Sequence, residues 1–331
     1  MQFSFIKADK TTNSTVSLFA FLSVILFPLG IYLINDAFVI LILICAVSVA
    51  LAWLFSNDSF LNSVLASLSA WTITLILTKS AFTSIVVLIP FTIGLFIGLA
   101  HRKTIKIQEA VGYSTLSLTV ITLLIIVALT VINTGRLDLV SITESFPYFF
   151  DGIKNTLYNS FTIKIADTEV QLITPIDVQK YLNVIIAVIP GIISALFSIL
   201  AYIVAWLYSL FVSSINGAPR RRTSKHIIPS VITTVFFIFA ALITGFTDSI
   251  NIITLTCTNI TIILLPLFLV SGIGSAFEVI EVNGFIRPRL LRPLVLLIAF
   301  MNSFMSFLII SATFAAYDSI KSSIKEKYSE N

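Results

Sequence analysis

The sequence predicts an all-α fold, a polytopic transmembrane helix bundle of about nine spans (eight to ten), and three observations predict it. The chain of 331 residues is 57% hydrophobic and only 11% charged, with a mean hydropathy of +1.04; an ordinary soluble domain is about 45–50% apolar. Its apolar residues come in blocks of about 18 to 30 separated by short polar breaks, the length a helix needs to cross roughly 30 Å of hydrocarbon. The blocks are also apolar on every side, as in LILICAVSVALAWLF at 41–55. Lipid offers the backbone no hydrogen-bond partners, so a crossing is a helix or part of a closed barrel. A barrel strand would alternate over about ten residues.

In chain order the expected helices are 16–34, 37–55, 59–78, 82–100, 112–132, 181–213, 227–247, 252–278 and 293–316. The first follows Lys7 and Lys10 and lacks a small-x-small cleavage site, so it reads as a span rather than a signal peptide. The second, third and fourth are joined by breaks short enough to include a re-entrant pair. This divides the chain into an N-terminal bundle (1–132), a polar segment (133–180), a C-terminal bundle (181–316) and a charged tail (317–331).

Three loops gather ten of the 20 basic residues: Arg102, Lys103 and Lys106; Arg220, Arg221, Arg222 and Lys225; and Arg287, Arg289 and Arg292. Loops rich in Lys and Arg stay in the cytoplasm, and two expected spans separate each loop from the next. Parity therefore puts all three on one face, with the N-terminus cytoplasmic. The Arg220–Lys225 cluster reads first as a topology signal and second as a contact for anionic lipid. The net charge of +4 is explained by these loops, and a nucleic-acid partner is not expected. Nine crossings would put the C-terminus outside, against the preference of Lys321, Lys325 and Lys327.

The segment 133–180 carries a net charge of −2, which suits the outer face. Ser141 and Glu144 fit a capping box, and Ile142, Phe146, Phe149, Phe150, Ile153 and Leu157 follow at helical spacing. They predict one amphipathic helix lying on the membrane or lidding the bundle. Residues 161–173 alternate around Ala166–Glu169 and predict a short hairpin. Thr174, Pro175 and Asp177 then mark the start of the sixth helix.

Candidate site residues follow from breaks and polar groups in the spans. Pro28, Pro90, Pro190 and Pro266 lie in or near spans, where proline frees a backbone carbonyl and can kink the helix; packing kinks are the plainer reading, and the sharper one is that broken helices border solute sites in transporters. Asn183 stands near the Pro190–Gly191 break, so Asn183, Pro190 and Gly191 are the candidate ligand-binding residues. Asn259 and Asn302 read as helix bridges. Gly94 and Gly98 form a GxxxG pair for close helix packing or partner docking, with Ala46/Ala50 and Ala312/Ala316 as weaker pairs.

The ionisable groups Asp36, Lys79, Asp248, Glu278, Glu281 and Asp318 all fall near span ends, where they can reach water. Cys45 and Cys257 read as buried structural residues, and His101 and His226 as solvated loop neighbours of arginines. No H-E-x-x-H, G-x-S-x-G, P-loop or G-x-G-x-x-G stands in the chain. It therefore reads as neither an enzyme nor a nucleotide-driven pump, with no metal and no cofactor.

The run KYLNVIIAVIPGIISALFSILAYIVAWLYSLF, the basic loop, NITIILLPLFLVSGIGSAFEVI, the arginines of IRPRLLRP and the ending AAYDSIKSS resemble the YybS-like family of bacterial multi-pass membrane proteins over residues 175–322. That family is grouped distantly with the substrate-binding membrane subunits of energy-coupling-factor transporters. The resemblance implies a bacterial plasma-membrane protein that binds a small molecule near the outer face and docks on other membrane subunits. The greater length and extra C-terminal spans depart from those subunits. The expected function is a small-solute binding or transport subunit without its own ATPase. The alternative is a membrane organiser that holds partners or anionic lipid through its basic loops.

Overall fold

The computed structural model describes residues 10–34, 36–57, 60–79, 86–102, 104–165, 168–171, 174–215, 229–247 and 251–282, with the isolated positions 317 and 320. The basic cluster Arg220, Arg221, Arg222 and Lys225, the expected ninth span at 293–316, Asn302, Asp248 and Asp318 lie outside the described residues.

Ten helices and one hairpin make up the described part: α1 (Lys10–Leu33), α2 (Ala37–Asn57), α3 (Phe60–Thr78), α4 (Leu88–His101), α5 (Ile107–Thr134), α6 (Leu139–Ser145), α7 (Pro147–Ser160), β1 (Thr162–Ile165), β2 (Thr168–Gln171), α8 (Pro175–Ile215), α9 (Val231–Phe246) and α10 (Ile252–Val282). Six of them, α1, α2, α3, α5, α8 and α10, are long and apolar enough to cross a membrane. The chain is a multi-pass membrane protein. The fourth and seventh expected spans are shorter than anticipated, at 14 and 16 residues for α4 and α9. At about 1.5 Å per residue they fall short of a roughly 30 Å core.

Large apolar side chains face outward on every long helix, such as Leu22, Leu26 and Leu33 on α1 or Leu116, Val120, Leu124 and Val131 on α5. In water such a surface would aggregate; in a bilayer it meets acyl chains.

The helix ends show why the chain divides where it does. Asp36 accepts from the N–H of Val39 at 2.9 Å to cap α2, Ser230 does the same from Thr233 at 3.1 Å for α9, and Asn251 from Thr254 at 2.9 Å for α10. Thr174 and Asp177 form a reciprocal capping box at the head of α8: Asp177 N–H donates to Thr174 Oγ1 at 3.2 Å and Thr174 N–H to Asp177 Oδ2 at 3.3 Å. At the C-terminal ends, Lys79 (φ 50°) and Gly135 (φ 69°) take the left-handed conformation that stops α3 and α5.

Two expectations need correction here. The single amphipathic helix with a Ser141/Glu144 capping box is two helices. Asp138 is the N-cap of α6, accepting from Ser141 N–H at 2.7 Å, and Ser141 sits inside the first turn. The chain leaves helical geometry at Phe146 because Pro147 follows, and the residue before a proline is driven out of the α region. The break expected at Pro190 is absent, since α8 runs without interruption for 41 residues through that proline.

The chain divides into two compact units: residues 1–118, 195–236 and 264–331 form unit 1, and residues 119–194 and 237–263 form unit 2. In unit 1, α1 packs against α2 and α3, and α2 packs against α4. Val24, Phe27, Leu51, Phe55, Ile93 and Ile97 form its core with Ala201, Val204, Tyr208 and Val212 of α8. Cys45 is buried in that core, and both Cys45 and Cys257 are free thiols. Gly94 and Gly98 lie directly against α2: a Cβ on Gly94 would stand 2.6 Å from Leu51 Cβ, and one on Gly98 2.9 Å from the carbonyl oxygen of Ala52. Only a hydrogen fits at either position.

Unit 2 has a smaller core. Phe150 of α7 packs with Val178, Leu182 and Ile186 along the first turns of α8, and Ile142, Phe146, Ile153 and Leu157 surround them. The antiparallel hairpin, paired from Thr162↔Gln171 to Ile165↔Thr168, joins α7 to α8.

Candidate functional site

Polar side chains inside the spans fall into two groups. Most hydroxyls bond back to their own helix, as Ser48 does to the carbonyl of Ile44 at 2.6 Å, Thr130 to Ile126 at 2.8 Å and Thr261 to Cys257 at 2.9 Å. Such groups satisfy themselves locally. A few reach another helix, and in unit 2 these converge on one stretch of α8.

That stretch runs from Ala187 to Ser194, about two turns. Asn259 of α10 donates through Nδ2 to the carbonyl oxygen of Ala187 at 2.8 Å and accepts through Oδ1 from the N–H of Gly191 at 2.9 Å. These are the two ends of one i→i−4 rung, so the Asn259 amide sits across the hydrogen-bond ladder of α8 as a peptide group would. The second Nδ2 hydrogen goes to the carbonyl of Leu255 at 3.1 Å. The carboxamide thus has both donors and its oxygen engaged.

Close approach is possible because residue 191 is glycine: a Cβ there would stand 2.6 Å from Asn259 Oδ1 and 3.2 Å from its Cα. Next to it, Ser194 donates to the carbonyl of Pro190 at 2.8 Å and shares a hydrogen bond of 3.1 Å with Thr119 of α5. Three helices of unit 2 are therefore fastened by polar side chains at one level.

Of the three residues expected to bind ligand, Pro190 and Gly191 belong to this clasp and Asn183 does not. Asn183 is half-buried, lies about two turns along α8 from Pro190, and accepts from Gln179 of its own helix at 3.2 Å. Asn259 is a helix bridge, as the sequence reading had it. The Thr119–Ser194 pair had no signal beyond a hydroxyl on each of two spans.

The segment joining α5 to α8 covers one end of α8. Phe150 and Leu182 are buried, while Tyr148 is 97% exposed and Phe149 57%. Phe161 and Tyr181 stack with centroids 6.4 Å apart, which ties the end of α7 to α8. Asp138, between α5 and α6, has its carboxyl held below the usual range chiefly by the N–H of Ser141, with the nearby Arg136 adding to the effect.

Unit 1 has a polar cluster of its own. Tyr208 Oη and Ser56 Oγ share a hydrogen bond of 2.9 Å, Asn57 donates to Ser56 Oγ at 2.7 Å, and Arg102 Nε donates to the carbonyl of Ser56 at 3.2 Å. His101, expected as a solvated loop residue, is instead the last residue of α4, half-buried with its ring edge-on to Tyr208 at 5.5 Å. The Arg102 contact takes an end carbonyl of α2, a use of cationic side chains common at helix C-termini.

The side chains of Glu278 and Glu281, at the end of α10, lie outside the described part. Asp36 serves as a helix cap. No group of three or more His, Cys, Asp or Glu side chains able to hold a metal ion occurs among the described residues. Compared with family models, curated proteins and solved structures, the chain matches none.

Proposed function

We infer that this chain is a small-solute binding or transport subunit of a bacterial plasma membrane, with its N-terminus inside and residues 133–180 outside, α4 and α9 counting as short crossings. It has no ATPase of its own and works with other membrane subunits, in line with the YybS-like resemblance. The observation that carries this reading is the make-up of unit 2. A segment with its own core rests on the first turns of α8. Directly beyond it, three helices are joined by side-chain hydrogen bonds. A solute bound beneath the segment would contact Asn183 and the Pro190–Gly191 turn.

Thermal unfolding of the purified protein with a panel of vitamins, nucleosides and lipids tests this. A ligand present at 100 times its Kd should stabilise by about 2.7 kcal/mol. No stabilisation across the panel would count against the reading.

One feature of the sequence favours the organiser reading instead: Arg220, Arg221, Arg222 and Lys225 stand within six positions. Each cation near an anionic surface is worth about 1 kcal/mol. Replacing the three arginines by glutamine should then strip partners from a pull-down or weaken binding to anionic vesicles. An unchanged partner list and unchanged vesicle binding remove the loop from the account.

A further inference from the structure

We propose that Asn259 is the removable pin of a hinge in α8. The arm Pro175–Ile186 and the docked α7 move as one piece relative to the start of α10 when the Asn259 amide withdraws.

The turn is weak for three reasons written into the sequence. Pro190 has no N–H, so the carbonyl of Ile186 lacks its usual donor four residues on. The next rung, Ala187 to Gly191, is occupied at both ends by Asn259. Gly191 adds backbone freedom that any other residue would remove. Side chains inserted into the i→i−4 ladder are an established cause of helix bending.

The turn also has two satisfied states, which a switch requires. With Asn259 in place, its amide holds Gly191 N–H and Ala187 C=O. With Asn259 withdrawn, those two groups can close on each other as an ordinary helical rung. Gly191 N–H and Ala187 C=O are paired in both states, so the exchange avoids the penalty for an unpaired amide in lipid at this rung. Asn259 Nδ2 already has a second acceptor in Leu255 of its own helix, a partner it keeps after leaving α8.

The arm above the hinge is rigid. Phe150 is 1% exposed against Val178, Leu182 and Ile186, and the Phe161–Tyr181 stack adds a second attachment. A bend at Ala187–Gly191 therefore carries α6, α7 and the hairpin with the start of α8. The arm is 12 residues or about 18 Å long, so a bend of about 20° displaces its tip by about 6 Å.

The test needs no solute. Spin labels at cysteines replacing Asn155 on α7 and Ile252 on α10, both exposed, report their distance in lipid nanodiscs, with Cys45 and Cys257 replaced by alanine. The unaltered hinge should give one narrow distance. Asn259→Leu removes the amide, and Gly191→Ala pushes it out by occupying its space. Each should add a second population shifted by about 6 Å. A single unshifted distance in both variants overturns the hinge. Where Asn259→Leu does not fold, Gly191→Ala alone decides by the same criterion.

Discussion

Units 1 and 2 share α5, α8, α9 and α10 but are fastened by different means. In unit 1, α2 and α4 meet through missing side chains: Gly94 and Gly98 admit the backbone of α2, and Ala52, Ala66 and Ala70 are fully buried around it. Steric fit of this kind tolerates almost no rearrangement, because any added atom meets backbone. In unit 2, beside the small core around Phe150, the helices are fastened by a carboxamide and two hydroxyls. Lipid removes the hydrophobic drive between helices and leaves packing and hydrogen bonding to do the work. One region of this chain uses chiefly the first and the other chiefly the second.

Four substitutions should separate the two units. Phe150→Ala deletes the centre of the small core in unit 2. It should cost about 3 to 5 kcal/mol locally, seen as rapid proteolysis within residues 139–173 while the spans stay protected. Equal resistance in the variant would mean that the segment does not depend on this core.

Gly98→Leu forces a branched side chain against the carbonyl of Ala52 and should cost about 1 to 3 kcal/mol, read as lowered thermal stability in detergent. A neutral result would contradict the tight α2–α4 contact. Asn259→Leu should cost only about 1 kcal/mol, the scale of interhelical hydrogen bonds in membranes, because the rung it vacates can close on itself. A loss several times larger would mean that it cannot.

The smallest effect is a pH dependence at Asp138. Its folded carboxyl titrates below the unfolded value of about 3.9, so its contribution to α6 is present above that pH and fades as pH falls through the folded value. Amide exchange at residues 139–145 should accelerate in that acid window in the native protein. It should do so less in Asp138→Asn, which keeps a capping oxygen without a titrating group. Identical acid profiles would remove Asp138 as the cause.

Much of the fold was legible because its signals are local. Long apolar runs, the Thr174–Pro175–Asp177 start and the alternation around 161–173 each declare an element within a few residues. The division at Phe146 was also written locally, as Pro147, but the capping box at Ser141 and Glu144 masked it; Asp138, three residues earlier, caps the helix instead. The behaviour of Pro190 could not be read this way. The rung next to Pro190 is bonded by Asn259, which stands 68 residues from Gly191 on another helix. Nearness to Pro190 along the chain singled out Asn183 without revealing that Gln179 already donates to it.

The most direct test of the contrast between the two units is amide hydrogen exchange in nanodiscs, comparing Ile186–Ser194 of α8 with Ser48–Phe55 of α2 in the native protein and in Asn259→Leu. Exchange should quicken in the first stretch on substitution and stay the same in the second. An unchanged first stretch, or equal acceleration in both, would erase the difference between the two units.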